Sequence, residues 1–312
     1  MGSCRFLTSY HWIVTVRNVT VQLIVDSGLA RTPRILKNSL HGDVPMKFNI
    51  VVSVLLGCWI LSPLWAAAWE DDYPWGRIEL TEDAAEFHLI NAADYPELEV
   101  PRFQNPVVQV YLKSDPQQQA LRLKPGVSTW QIKLPKKMEG PAVIVMETVG
   151  PPRFNEEPML CRPGEEGELV LPAHGAVVHG EKLRYEPQPH KNTVGYWQNE
   201  KDWCEWNVSL PAQQKYDVYI LQGCGEGQGG STVQVIAGDQ KLEFAVEDTG
   251  HFQNFKERYL GRLFLMPDRA DSGSSPQTIK LVPIHKAKGA VMDVRQLRLV
   301  PVPDPGRIPD KQ

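Results

Sequence analysis

After residue 68 the chain consists mainly of short runs in which hydrophobic and polar residues alternate. Residues 202–208 show this most clearly, because Cys204, Trp206 and Val208 fall on one face of an extended chain and the residues between them on the other. A repeat of two residues is typical of β-strands with one buried face. The pattern therefore predicts an all-β protein.

Other segments show a strand pattern, and turn residues separate them. They are residues 107–111, 130–134, 142–146, 168–171, 216–221, 231–237, 240–246, 259–265, 278–282 and 290–299. Gly238 and Asp239, between two of these runs, predict a two-residue hairpin turn. One helix of weak periodicity is predicted at residues 82–93.

The strands form two groups, because the composition changes near residues 173–175. We expect two β-sandwich domains: an N-terminal one of unknown type at residues 69–176 and a jelly roll at residues 177–303, with a tail at 304–312. The 24 Gly and 26 Pro of the chain favour many short strands joined by turns over a helical bundle.

Residues 46–68 have the three parts of a secretory signal peptide: Lys47, an apolar run and small residues that end at Ala68. With cleavage after Ala68 the protein is expected to be periplasmic or secreted, and to contact a membrane only if the signal stays as an uncleaved anchor. Residues 1–45 are interpreted as a gene-model artefact upstream of a true start at Met46. The alternative is an unusually long first part of the signal.

The net charge of −4, without a basic stripe, argues against nucleic acid as a partner. Three cysteines follow residue 68, namely Cys161, Cys204 and Cys224. Cys204 and Cys224 are expected on neighbouring strands. A disulfide between them and a pair of buried free thiols are equally consistent with the sequence.

Several blocks of the second half occur in the same order in a known module. They are Gly195-Tyr196-Trp197-Gln198-Asn199, Asp202-Trp203-Cys204-Glu205-Trp206, Leu221-Gln222-Gly223-Cys224-Gly225, Asp248-Thr249-Gly250-His251-Phe252-Gln253-Asn254-Phe255 and Ala290-Val291-Met292-Asp293-Val294-Arg295. Over residues 178–302 the chain resembles a C-terminal module appended to many sulfatases of planctomycete-type bacteria. That module looks like a galactose-binding-like jelly roll and is distantly similar to family-six type carbohydrate-binding modules.

The resemblance implies a sugar site at one edge of the sandwich, where aromatic rings stack on the apolar face of a pyranose. Tyr196 or Trp197 would supply one ring and Phe252 the other. His251 and Asn254 are the polar neighbours available to sugar hydroxyls.

Folds of this kind often hold a structural calcium ion near the first and last strands, and Glu186 and Asp293 are the matching carboxylates. Arg184 stands where another oxygen ligand is expected. A salt bridge of Arg184 or Arg295 with one of these acids is therefore favoured over a bound ion.

No catalytic motif is recognised; Cys161 and Pro163 match part of the sulfatase nucleophile motif, but Glu165 replaces its arginine. We therefore predict an exported, non-catalytic protein that binds a glycan or a glycan-processing enzyme. One alternative is an envelope structural or protein-interaction module that has lost the sugar cleft, because Val291 stands where the relatives carry asparagine. Another is a glycan-acting hydrolase with its site between the domains.

Overall fold

Strands make up most of the protein that the computed structural model describes, which is residues 9–16, 19–26, 69–267 and 277–303. The chain divides into two compact units, Met1–Ser62 and Pro63–Gln312. In the first unit, β1 (Ser9–Val16) and β2 (Val19–Asp26) pair as an antiparallel hairpin. The predicted signal peptide, most of the predicted upstream extension and the tail lie outside the described residues.

The prediction of an all-β fold is confirmed in the second unit. Its described residues contain many strands and two short 3₁₀ turns, Ala92–Asp94 and Ala173–Gly175. The strands of its first half are β3 (Trp69–Tyr73), β4 (Gly76–Leu80), β5 (Ala84–Leu89), β6 (Glu97–Pro101), β7 (Val107–Leu112), β8 (Arg122–Pro125), β9 (Thr129–Lys133), β10 (Ala142–Thr148), β11 (Leu160–Cys161) and β12 (Leu169–Pro172). Those of its second half are β13 (Val177–His179), β14 (Arg184–Glu186), β15 (Thr193–Gly195), β16 (Trp203–Val208), β17 (Gln214–Cys224), β18 (Thr232–Ala237), β19 (Gln240–Ala245), β20 (His251–Leu265), β21 (Gln277–His285) and β22 (Asp293–Pro301).

Strands β3 to β10 form two sheets: a five-stranded sheet in the order β3-β4-β5-β10-β7 and a three-stranded sheet in the order β6-β9-β8. Alternate residues of the larger sheet, such as Ile78, Phe87 and Ile144, are fully buried. The residues between them point to the opposite face, because successive side chains of a strand alternate.

The helix predicted at residues 82–93 is wrong, because this segment forms β5. Ala85, Phe87 and Leu89 are buried, whereas Glu86 and His88 between them are partly exposed. This two-residue alternation is typical of a strand with one buried face. It favours a strand more strongly than the weak helical periodicity favours a helix.

Two six-stranded sheets contain the strands of the second half together with β11 and β12. One has the order β11-β16-β21-β18-β19 with β13 beside β16, and the other has the order β14-β15-β22-β17-β20 with β12 beside β22. Cys204, Trp206 and Val208 of β16 are fully buried, on the face that the sequence predicts. The hairpin predicted at Gly238 joins β18 to β19, with Ala237 paired to Gln240.

One continuous hydrophobic core runs through both halves of this unit. Trp130 of the first half lies against Tyr185 of the second, with ring centroids 6.3 Å apart. β11 and β12, which precede the expected domain boundary after residue 176, pair with β16 and β22. The division into two domains at that residue stays a prediction.

The disulfide considered between Cys204 and Cys224 is absent, and all three described cysteines are free and buried. The expectation of neighbouring strands is wrong, because Cys204 lies on β16 and Cys224 on β17, which belong to different sheets. Strands that follow one another along the chain cross between the two layers here, so closeness in sequence does not bring the two thiols together.

Burial should make these thiols unreactive in the folded protein. It raises the pKa values of Cys161 and Cys224 to about 11, so little thiolate forms at pH 8. In a Cys4→Ser, Cys58→Ser variant that keeps only these three cysteines, we expect a chromogenic thiol reagent to detect three thiols after denaturation without reductant, and none before it. Only one thiol after denaturation would instead reveal a disulfide.

Candidate functional site

Tyr196, which directly follows β15, is an exposed aromatic residue of the predicted ligand site. The residue is 42% exposed. The guanidinium carbon of Arg184 lies 3.8 Å from the centroid of its ring. Arg184 reaches this position because β14 pairs with β15, opposite Gly195. The cation supports the ring and leaves part of it open to solvent.

The backbone of Tyr196 is strained. Its φ of 58° is in the left-handed region, which bulky residues other than glycine rarely adopt. The Tyr196 N–H donates to the carboxylate of Asp293, and its carbonyl accepts from the N–H of Gln198 at 3.0 Å. Strain of this kind persists only where surrounding contacts hold it, and such residues concentrate at functional sites.

Asp293, at the start of β22, is the centre of this contact network. Its carboxylate accepts hydrogen bonds from the Tyr196 N–H and from the side chain of Gln253 on β20. Gly195 allows the carboxylate to approach, because a β-carbon there would stand 2.6 Å from Asp293 Oδ1. A single buried carboxylate therefore joins the loop after β15 to β20.

Burial and the negative charge of Glu186 raise the pKa of Asp293 from 3.8 to about 7, while Lys191 and the two hydrogen bonds act in the opposite direction. Glu186 Oε1 lies 3.1 Å from Lys191 Nζ and 3.6 Å from Arg184 Nη2. The two acids considered as calcium ligands are thus close together, and cationic side chains already neutralise Glu186. A calcium ion at this position stays a prediction that the sequence does not favour.

The remaining predicted ligand residues lie at the start of β20. His251 and Asn254 are exposed, and Phe252 is partly exposed. The amide of Asn254 donates to the Thr249 carbonyl, so part of its hydrogen-bonding capacity holds the adjacent turn. The Phe252 ring packs on Gly225, where a β-carbon would stand 2.5 Å from the ring. These residues are next to Gln253 and therefore close to the Asp293 network.

The structure corrects the predicted role of Trp197. Its indole is fully buried, and its Nε1 donates to the Asp202 carbonyl at 2.9 Å. A buried ring cannot stack on a sugar, so Tyr196 alone is the candidate ring of this loop. Val291 is also fully buried and donates its N–H to the Trp197 carbonyl at 2.8 Å, so it is a core residue.

Sequence reasoning missed Gln253 and the contact between Arg295 and Phe255. The guanidinium carbon of Arg295 lies 4.0 Å from the centroid of the Phe255 ring. The same guanidinium donates to the carbonyls of His190 and Lys191. Gln253 and Phe255 are in one of the blocks that resemble the sulfatase-appended module, but only the fold shows that their side chains contact β22.

No protein-family model matches this chain, and no curated protein matches it. Solved structures with weak similarity include the C-terminal CBM6 of the laminarinase LamC from Zobellia galactanivorans, with 16% identity, a TM-score of 0.34, and coverage of 43% of this chain and 98% of that one. A family 35 carbohydrate-binding module from Clostridium thermocellum has 15% identity, a TM-score of 0.31, and coverage of 42% and 96%. An α-L-fucosidase from Vibrio sp. strain EJY3 has 14% identity, a TM-score of 0.29, and coverage of 74% and 40%. Similarities this weak do not identify a ligand for this chain.

Within the described parts of the chain, no helix has the length and apolar character needed to span a membrane.

Proposed function

We propose that this protein is an exported, non-catalytic carbohydrate-binding protein whose site surrounds Tyr196. The pattern of residues 46–68 supports export. The resemblance of residues 178–302 to the sulfatase-appended module supports a role beside an enzyme that acts on glycans. The site itself is argued from the contacts around Tyr196.

The single observation that carries the proposal is the geometry of Tyr196. Its ring is partly exposed, lies on the Arg184 guanidinium, and has a strained backbone that is held by a buried carboxylate. A ring fixed in this way loses little conformational entropy when a sugar stacks on it. It therefore provides a preorganised platform for the apolar face of a pyranose.

Polar side chains lie near the two acids beside this platform, because Lys191 contacts Glu186 and Gln253 contacts Asp293. Arg184 and Lys191 are partly exposed cations, and Gln253 and His251 lie on β20, from which the Gln253 side chain reaches Asp293. These side chains offer hydrogen-bond donors to hydroxyl groups, which a sugar site requires in addition to the aromatic surface.

The arrangement favours binding over glycoside hydrolysis. A carboxyl group whose pKa is raised to about 7 would suit a general acid. However, Asp293 is buried, and Tyr196 and Gln253 both donate to it. The carboxyl group positions the loop, and we assign it no proton transfer to a ligand.

A glycan-array screen of the full chain tests the proposal, followed by titration of the best ligand into Tyr196→Ala, Phe252→Ala and Tyr259→Ala variants. We expect Tyr196→Ala to weaken binding at least ~10-fold, which corresponds to about 1.4 kcal/mol. Phe252→Ala should have a smaller effect. Tyr259→Ala is the matched control, because Tyr259 is an exposed tyrosine further along β20. Loss of binding in the control alone would place the site elsewhere.

The second candidate function is protein binding in the envelope, and the burial of Val291 favours it. The position where the sugar-binding relatives carry an amide belongs to the core here. If the folded wild-type protein binds no glycan on the array, the carbohydrate proposal fails and this candidate replaces it.

A further inference from the structure

We propose that Glu79, Glu86 and His88 bind a divalent transition-metal ion, with zinc as the probe ion. The three residues lie on β4 and β5, on the face of the five-stranded sheet opposite to the buried residues Ile78 and Phe87. This site is remote in sequence from the one around Tyr196 and does not depend on the proposed carbohydrate function.

Strand pairing brings the three side chains together. β4 and β5 are antiparallel, with Glu79 directly opposite Glu86, and His88 is two residues further along β5 on the same face. The three residues therefore project from a rigid sheet. A metal site built on paired strands needs little reorganisation when the ion binds.

The distances fit a metal ion. His88 Nε2 lies 3.2 Å from Glu79 Oε2 and 3.5 Å from Glu86 Oε2. Ligand atoms bound to zinc at ~2.0–2.2 Å in a tetrahedron stand roughly 3.3–3.6 Å apart. Imidazole and carboxylate ligands are both common at catalytic zinc sites, which combine three protein ligands with an open position.

The environment of His88 Nε2 fits the same interpretation. The His88 side chain is 24% exposed, but its Nε2 atom is buried and makes no hydrogen bond of acceptable geometry with any described residue. The nitrogen is nevertheless directed toward two carboxylate oxygens. A buried nitrogen beside two carboxylates but without a well-formed hydrogen bond is costly, and an ion shared by the three side chains would satisfy it.

The site is also accessible from solvent. His88 lines a concavity of about 930 Å³ together with Arg77, Lys113 and Lys137. An ion held by His88 could thus keep its remaining coordination position open to water or to an anionic ligand on this side. The cations around the concavity favour an anion there.

Lys113 is the competing cation. Its Nζ lies 2.7 Å from both carboxylate oxygens of Glu86. The Lys113 side chain is 56% exposed, so it can move into solvent when an ion binds. This competition provides a specific test, because removing the lysine charge should increase metal affinity.

The experiment is a calorimetric titration of zinc chloride into the untagged full chain. We expect one saturable site, and at least ~10-fold weaker binding in His88→Ala and Glu79→Gln. Lys113→Met should bind several-fold more tightly. His179→Ala is the matched control, since His179 Nε2 also lies 3.0 Å from a glutamate oxygen, that of Glu205, and this variant should bind like the wild type.

The readout does not depend on an unchanged fold in any one variant. Zinc should raise the melting temperature of the wild type and of Lys113→Met, but not of His88→Ala. Three results would overturn the proposal: no saturable site in the wild type, equal affinity in His88→Ala, or unchanged affinity in Lys113→Met. Any of these would show that the cluster is an ion-pair network of the sheet surface.

Discussion

Between pH 4 and pH 8 we expect Asp293→Asn to gain stability relative to the wild type by about 3–4 kcal/mol. Folding raises the pKa of Asp293 from 3.8 to about 7, so the folded protein binds this proton more tightly than the unfolded chain does. The wild-type stabilisation is therefore fully present below pH 3.8 and is lost as the pH rises through about 7. At about 1.36 kcal/mol per pH unit, the difference amounts to at most ~4 kcal/mol.

Chemical denaturation of the wild type and of Asp293→Asn at intervals between pH 4 and pH 8 measures this difference directly. Asp217→Asn is a control of opposite sign. Arg262 lies 2.9 Å from Asp217 and holds the pKa of its carboxyl group below the usual value, so that stabilisation is lost as the pH falls. A pH-independent difference between Asp293→Asn and the wild type would mean that Asp293 is not a buried, proton-binding group.

The same carboxyl group links stability to the candidate sugar site. Ionisation of Asp293 strengthens the hydrogen bonds from Tyr196 and Gln253, since a carboxylate is a better acceptor than a protonated carboxyl group. The ring of Tyr196 should therefore be held most firmly above pH 7. This is also the pH range in which the ionised carboxyl group destabilises the folded protein most.

Asp202→Ala should destabilise the protein by at least ~3 kcal/mol, because this one side chain holds the turn before β14. The buried carboxylate of Asp202 accepts the backbone N–H groups of Glu181, Lys182 and Leu183 at 3.0, 2.9 and 2.8 Å. Each hydrogen bond to a charged group contributes about 1.5–3 kcal/mol. Glu181 and Lys182 are exposed, so their N–H groups can bind water instead, whereas that of Leu183 cannot.

The measurement is the denaturant midpoint and slope of Asp202→Ala, Asp202→Asn and Asp239→Ala. The asparagine variant keeps one acceptor oxygen and should show an intermediate loss. Asp239 is exposed in the turn between β18 and β19, so its alanine variant controls for loss of a charge alone. A loss below about 1 kcal/mol in Asp202→Ala would contradict the structural role of this carboxylate.

Asp202 also contacts Gly180 and Trp197. Gly180 lies so close that a β-carbon there would stand 2.0 Å from Asp202 Oδ1. Trp197 Nε1 donates to the Asp202 carbonyl. Trp197, which the resemblance offered as an alternative to Tyr196 for stacking on a sugar, thus supports the loop that carries Tyr196.

The strands are the part of the fold that the sequence predicted well. β16 has its buried face at Cys204, Trp206 and Val208, and the β18–β19 hairpin turns at Gly238, as the local pattern indicates. These features depend on residues close in the chain, because side-chain alternation and turn geometry are local properties. Where local signals were weak, as in the segment that forms β5, the prediction failed.

Sheet membership, burial and the contacts of the two candidate sites were decided by the tertiary structure. Cys204 and Cys224 are only 20 positions apart, yet they lie in different sheets. The Asp293 network joins β22 to residues of β20 and to the loop after β15. By itself the sequence determined the extended segments with a clear alternation and the buried face of strands such as β16, because both are local properties. Only the packing of strands far apart in the chain brings Gln253 and Tyr196 to Asp293.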